Sequence, residues 1–549
     1  MKRFLLSIFC LFLFLPLTLQ ASPYSMILAG DPILEDIRFL SLESGRSILS
    51  FTPPLPPHEV ELFLDSLNII LLSAPAQEAY YRIRDRLEAQ TPLRFLESEN
   101  FLMTLNINVA VEASARINND ISWYSVYPKV TPLISMPINF FFTDFVQLYI
   151  EPSLTMNIQD YFQNTDSLRA NFPTEYDNFD WSQPFRAFIA AGGSWWNFQL
   201  GRDRLSYGTG QMGNLAISDN PDYYEFMRLS LFSRYVKYSL LVNQMPLDVK
   251  NLWPVENRHL EFNQDETLMR SMNRHFYLHR LDFNLFDVLS IGLMEGVMVG
   301  NSPLEIRFLN PVMIFHSLYS WNHYDEWFDD DDAHRSVIGS LLSIEVNWNI
   351  LPSLAVYGQF ALNEYATARE AKNVPNQPPN GLGFLAGLQY SHSFDTWASV
   401  SFFEFTYTYP YLYLNPSPFA SYIHMRYLSD TTRTHYTFIG YPRDLLVFTL
   451  GTNFFKENTL SFSGIFSLLF NGERDIYYDW VRTTEAFNRK SPSGTVENKY
   501  ILSLAAGWKI NPYFSIKGSV TGIHSRNNNH ESGQNETGLQ STVSVNFSY

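Results

Sequence analysis

The sequence predicts an all-β transmembrane fold, an antiparallel outer-membrane β-barrel of about 18 strands with a small N-terminal periplasmic helical region. Three observations predict it. The chain ends L-Q-S-T-V-S-V-N-F-S-Y, where Leu539, Val543, Val545, Phe547 and Tyr549 share one parity and polar residues hold the other, as in a strand with one lipid-facing side. Aromatic residues make up 16% of the chain and charged residues 17%, yet no run of about 18 apolar residues follows the N-terminal leader. From Phe101 onward, short turns alternate with long connections, the pattern of a barrel wall.

The leader comes first in the chain. Lys2 and Arg3 precede an apolar run from Phe4 to Leu19 and the small residues Ala21 and Ser22, so residues 1–21 read as a secretory signal peptide. The single cysteine, Cys10, lies within it, which leaves the mature chain without disulfide or thiolate chemistry. Without Lys2 and Arg3, 36 basic residues face 55 acids, a formal charge of about −19. Nucleic acid is excluded as a partner, because phosphate binding needs clustered Lys and Arg.

Residues 22–100 follow a helical period. Pro32 suits a first helical turn, and Ile33, Leu34, Ile37 and Leu40 recur at helical spacing behind it. Phe51 to Pro57 is a proline-rich connector. His58 to Leu71 and Ser73 to Gln90 read as two further helices, the latter with Ser73 as its cap. This region is expected to be a periplasmic element packed against the barrel mouth.

Residues 101–549 are expected to form the barrel. Phe101, Met103, Leu105, Ile107, Val109 and Val111 alternate with polar residues, so the period becomes two. Short turns are expected near Thr143-Asp144, Gly193-Ser194, Ser233-Arg234, Phe286-Asp287, Leu351-Pro352, Phe394-Asp395, Glu457-Asn458 and Asn511-Pro512. Nine long connections separate them, which gives 18 strands, or 16 if the short spans Glu225 to Phe232 and Tyr235 to Asn243 stay outside the wall. Short turns belong in the periplasm and long loops outside, so both ends of the barrel face the periplasm and Leu539–Tyr549 closes against the strand starting at Phe101.

Short catalytic motifs are absent. G-x-S-x-G, H-E-x-x-H and P-loop patterns do not occur, and no catalytic residue or cofactor is assigned. Gly208 to Gly213 matches G-x-G-x-x-G but lacks the βαβ context of a dinucleotide site, and its glycines suit a loop folded tightly against the wall. The connection 301–335 carries Tyr319, Trp321, Tyr324 and Trp327 ahead of Asp329 and Asp330. Aromatic faces stack on sugar C–H faces and carboxylates accept from sugar hydroxyls. The same carboxylates suit a hard cation, and an interfacial girdle with a solvated acidic run is the third reading. No metal site is assigned. His323 and His334 flank the acidic run and read as solvated loop residues.

Three stretches resemble the Wzi-type capsule assembly family: G-D-P-I-L-E-D-I-R-F-L from Gly30, G-R-D-R-L-S-Y-G-T-G-Q-M-G-N-L-A-I-S-D-N-P from Gly201 to Pro221, and F-L-N-P-V-M-I-F-H from Phe308 to His316. The resemblance implies an 18-stranded outer-membrane barrel with a periplasmic helical bundle, a non-enzymatic lectin that holds capsular or other surface polysaccharide. Gly208-Thr209-Gly210 stands where that family usually has G-P-G. Arg202, Arg204 and Asn214 are the first candidate glycan contacts, and Tyr319, Trp321, Tyr324, Trp327, Asp329 and Asp330 the second. Outer-membrane lipid and the outer-membrane insertion machinery are the other expected partners of a monomer. The alternative from a different class is a diffusion channel, lined by inward polar residues such as Asn106, Glu112, Glu345 and Lys517.

Overall fold

The computed structural model describes residues 24–88, 94–98, 100–118, 121, 129–163, 167–248, 252, 274–300, 304–315, 338–365, 379–415, 418–428, 433–456, 459–477 and 491–549. The expected signal peptide, the turn at Glu457-Asn458 and the aromatic and acidic stretch from Tyr319 to Asp332, with His323 and His334, lie outside the described residues.

Among the described residues, 23 strand segments share one antiparallel sheet, each hydrogen-bonded to its neighbours in the order of a barrel wall. The last strand, Asn535–Ser548, lies against Asn108–Ile117, with Leu539 opposite Ile117 and Ser548 opposite Asn108. Tyr549 extends the ladder by exchanging two backbone hydrogen bonds with Ile107, at 2.8 and 2.9 Å. Its parity is the one the period of two predicts: Leu539, Val543, Phe547 and Tyr549 are exposed on the outer flank, while Ser544 is buried toward the lumen. Strand segments and membrane spans are different counts here. The first span is interrupted between Phe101–Leu105 and Asn108–Ile117, and the next two are broken at Met136-Pro137 and Glu151-Pro152, where proline removes a ladder donor. Tyr224–Phe232 and Val236–Gln244 are both paired in the wall.

The N-terminal helices form Ile33–Ser44, Pro57–Leu64 and Ala74–Leu87, and Ser73 Oγ caps the last by accepting from Ala76 N. The second predicted helix is split, because the chain turns at Asp65–Asn68 before a short 3₁₀ segment, Ile69–Leu71. Ile37, Leu40, Val60, Phe63, Ala79 and Ile83 pack into one core that also takes in Ala398 of the wall.

This region does more than sit at a mouth; it enters the lumen. Its backbone from Leu42 to Leu49 docks on the short-turn end, with Ser353 N donating to Leu42 O at 2.8 Å and Ser47 N to Asp287 O at 2.8 Å. Ser290 Oγ donates to Leu49 O and Asn284 Nδ2 to Ser47 O. Deeper in, Arg228 Nη2 donates to Pro54 O at 2.6 Å, and Lys237 Nζ meets Glu59 at 2.7 Å with Ser50 and Thr52 hydroxyls around it. An extended proline-rich segment cannot satisfy its own carbonyls, so polar side chains of the inner wall do so.

Long connections cover the other end. The connection after Trp397–Thr408 contains a hairpin, Ile423–Tyr427 with Thr434–Phe438, where the sequence suggested only loop. Its Tyr422, Ile423 and Phe438 join Tyr207, Leu215 and Ile217 in a buried cluster with inward wall residues such as Met294 and Leu341. The lumen is therefore occupied from both ends.

Candidate functional site in the lumen

Two of the stretches singled out in the sequence meet inside the barrel. The segment Ser206–Asn220 leaves the end of Trp196–Asp203 and folds inward until it touches the N-terminal region: Gly208 N donates to Phe51 O at 2.8 Å and Ser206 N to Pro53 O at 3.2 Å. Its path needs glycine. Gly208 has φ +129°, and a Cβ there would overlap the Gln359 amide, while a Cβ on Gly213, at φ +144°, would come within 2.8 Å of the Tyr441 ring.

Wall side chains hold the loop by its backbone. Gln359 Oε1 accepts from Leu215 N at 2.8 Å, and its Nε2 donates to Asn214 Oδ1 at 2.6 Å. Glu404 accepts from Gln211 N at 2.6 Å, Met212 N at 3.1 Å and the Tyr357 hydroxyl at 2.8 Å. A carboxylate accepting three donors in a confined space is a strong anchor.

Between this loop and the start of helix Ile33–Ser44 lies a chamber of about 300 Å³. That is the lower end of small-molecule sites. Asp31, Glu35 and Arg38 line it from the helix side, Gln211, Asn214 and Asp219 from the loop, and Lys129 from the connection before residue 131. Lys129 Nζ pairs with Asp219 at 2.6 Å, and burial with the neighbouring Arg204 cation pushes its pKa down to about 8. Arg38 lies 4.3 Å from the Phe51 ring centre and its Nε is buried without a hydrogen-bond partner. Carboxylates, an amide and two cations around a confined space can satisfy a hydroxyl-rich ligand from several directions.

The candidate contacts separate. Asn214 lines this chamber, but its carboxamide is engaged: the oxygen accepts from Gly210 N as well as Gln359, and the nitrogen donates to Ser206 Oγ. Its evident role is to shape the loop. Arg204 is turned to the Asp222 carbonyl, with Nε donating at 3.2 Å. Arg202 points the opposite way: Gln199 and Asp203 of its strand are buried inward, whereas Arg202 lies over Tyr223 at 4.0 Å and pairs with Glu225 on the outer flank. Tyr319, Trp321, Tyr324, Trp327, Asp329 and Asp330 lie outside the described residues. Asp31, Glu35, Arg38 and Lys129 were not foreseen. The G-D-P stretch from Gly30 contains the first three, and nothing in sequence spacing marks Lys129. Among the described residues no His, Cys, Asp and Glu group has the arrangement of a metal site.

Comparison with known proteins agrees with this architecture. The family described as Capsule assembly protein Wzi matches residues 110–538. Among solved structures, Wzi of Escherichia coli, described as an outer membrane protein involved in group 1 capsule assembly and a carbohydrate-binding β-barrel, superposes with a TM-score of 0.55 at 11% identity, over 95% of this chain and 99% of that one. OccD3 (OpdP) of Pseudomonas aeruginosa is more distant, with a TM-score of 0.41 at 10% identity over 81% of this chain and 91% of its own. No curated protein matches the sequence. The match over residues 110–538 places the chain in the Wzi capsule assembly protein family.

Proposed function

We propose that this protein is a non-enzymatic barrel of the bacterial outer membrane that holds capsular or other surface polysaccharide at the cell surface, with residues 22–100 on the periplasmic side. Membership of a capsule assembly family carries the reading, and the E. coli relative that superposes on the chain is described as carbohydrate-binding. The lumen supports retention over transport. Phe51 and Pro53 of the N-terminal region are hydrogen-bonded to Gly208 and Ser206 of the inward loop, so the two fillings meet within the barrel.

Glycan reaches the protein at the long-loop end, where the aromatic and acidic stretch from Tyr319 to Asp330 supplies stacking faces and acceptors; Arg202, engaged with Glu225, Ser182 O and Pro184 O, would have to exchange those partners for a glycan to use it. No reaction is assigned to the chain: the chamber carboxylates are engaged in ion pairs, Asp31 with Arg86 at 3.2 Å, Glu35 with Arg38 at 3.4 Å and Asp219 with Lys129 at 2.6 Å. The test compares retention of labelled surface polysaccharide by the intact protein with that by a Trp321→Ala, Trp327→Ala variant and by Arg202→Ala. Retention by the intact protein, reduced at least several-fold in the tryptophan variant, is expected. Absence of retention by the intact protein contradicts the function, and unchanged retention in the tryptophan variant removes that loop from the site.

A further inference from the structure

The third resembling stretch, Phe308 to His316, begins in a place where neither lumen nor outer mouth can use it. The segment Leu304–Phe315 lies against the outer flank of the wall. The sidedness follows from alternation. Lys237 meets Glu59 in the lumen and Arg280 pairs inward with Asp282 and Glu345, so Tyr238, His279, Leu281, Leu293 and Ile344 point outward. Phe308 and Phe315 pack on this outer side against Val242, Tyr277, Val297 and Val299.

The flap covers polar wall groups that would otherwise face hydrocarbon. Glu295, opposite His279 across the ladder, accepts from Phe315 N at 3.0 Å; His279 Nε2 lies 3.1 Å from Phe308 O, and the Tyr277 hydroxyl accepts from Glu305 N at 2.8 Å. The flap's own outer surface carries a set of aliphatic side chains beside the exposed Asn310 and Arg307, the latter paired with Glu305 at 2.7 Å. Ile306 and Val312 are 79% and 86% exposed, and Leu304 and Ile314 are exposed beside them. Four open aliphatic side chains in twelve residues, lying on the apolar flank of a membrane barrel, belong in lipid rather than water.

Below the flap runs a groove of about 770 Å³ between Pro311–Ile314 and the wall. Tyr238, Leu281, Leu293 and Ile344 form one cross-strand row along its floor, each directly opposite the next. That row continues the lipid-facing surface, so the groove opens to hydrocarbon. One group in it is unsatisfied: the Tyr238 hydroxyl is buried without a hydrogen-bond partner. In hydrocarbon a bare hydroxyl is costly, and an occupant with an oxygen acceptor would relieve it.

We infer that the groove under the Leu304–Phe315 flap is a lipid site that holds one acyl chain of a bilayer lipid, with an ester or hydroxyl oxygen of that lipid accepting from Tyr238. The inference rests on the membrane barrel alone and is independent of the glycan reading. The apolar floor supplies retention and the hydroxyl supplies selectivity.

Lipid content after purification tests it. The full-length protein, exchanged through a detergent that strips loosely held lipid, is examined by native mass spectrometry and by lipid extraction. About one lipid per chain is expected on the wild type. Leu293→Trp, which fills the floor, is expected to lose it, and Tyr238→Phe to weaken retention about 2- to 10-fold, the range for one neutral hydrogen bond. Folding of each variant is checked by its heat-modifiable migration. A folded wild type carrying no lipid, or a folded Leu293→Trp variant carrying as much as wild type, overturns the site; unchanged retention by Tyr238→Phe overturns the oxygen contact. Identifying the extracted lipid distinguishes a phospholipid from a glycolipid.

Discussion

Single residues decide whether the inward loop can reach the N-terminal region. Gly208 sits at φ +129° with Gln359 and Asn214 against the position of its missing Cβ. Gly208→Ala therefore strains the backbone and displaces the Gln359 amide that holds Leu215. The expected loss is about 1–3 kcal/mol of stability, measured by thermal or denaturant unfolding in detergent, with new protease cleavage within 205–221. Lys129 makes a prediction in pH. Its folded pKa of about 8 lies below the usual lysine value near 10.5, so between those values the folded chain binds fewer protons than the unfolded one. Folding is then favoured as pH rises through the window. Measured against Lys129→Met, which does not titrate, the wild type is expected to gain stability from pH 8 to 10.5, and a constant difference between the two contradicts the burial of this amine.

At the scale of elements, the N-terminal region is held to the inner wall by apolar contacts, such as those of Tyr24, Met26 and Leu28 with Tyr149, Phe188 and Ala190, and by buried polar ones. The Lys237–Glu59 pair is almost fully buried on both sides and is surrounded by Ser50 and Thr52. Such a pair contributes little relative to apolar packing, but removing one member strands a buried charge at a cost of about 3–5 kcal/mol. Glu59→Ala is expected to loosen the region while leaving the wall intact. Proteolysis should then cleave within residues 24–88 of the variant and spare those residues in the wild type, with heat-modifiable migration unchanged in both.

The elements also show how much the sequence discloses. A period of two located the outer flank of Asn535–Ser548 and the short turns, because one buried face and one lipid face impose it on every strand. The helical period located Ile33–Ser44 for the same reason. Periodicity says which side chains face the lumen, and Glu345 was legible in that way; it cannot say what fills the lumen. The partners that Arg228 and Lys237 find in the N-terminal region are more than 170 residues away, and two of them, Thr52 O and Pro54 O, are backbone carbonyls that carry no sequence signature. The flap was invisible for a related reason. Leu304–Phe315 is an apolar stretch beside a strand, and only the fold shows which flank it covers.

In the whole molecule, the wall, the N-terminal region and the inward loops form one barrier. The glycine loop was legible as a tight loop near the wall, whereas its contact with Phe51 and Pro53, the chamber beside it and the part played by Lys129 come from the fold. Asn214, expected as a glycan contact, lines the chamber with its carboxamide engaged by Gly210, Ser206 and Gln359, so its hydrogen bonds explain it as a loop-shaping residue. A barrel of this size without such filling would conduct, as wide barrels do. Among the described residues the lumen is filled from both ends, by the N-terminal region and by the inward loops. Planar-bilayer conductance of the purified full-length protein tests this most directly. An electrically silent wild type is expected, and steady, reproducible single-channel steps from it would contradict retention and favour a diffusion channel.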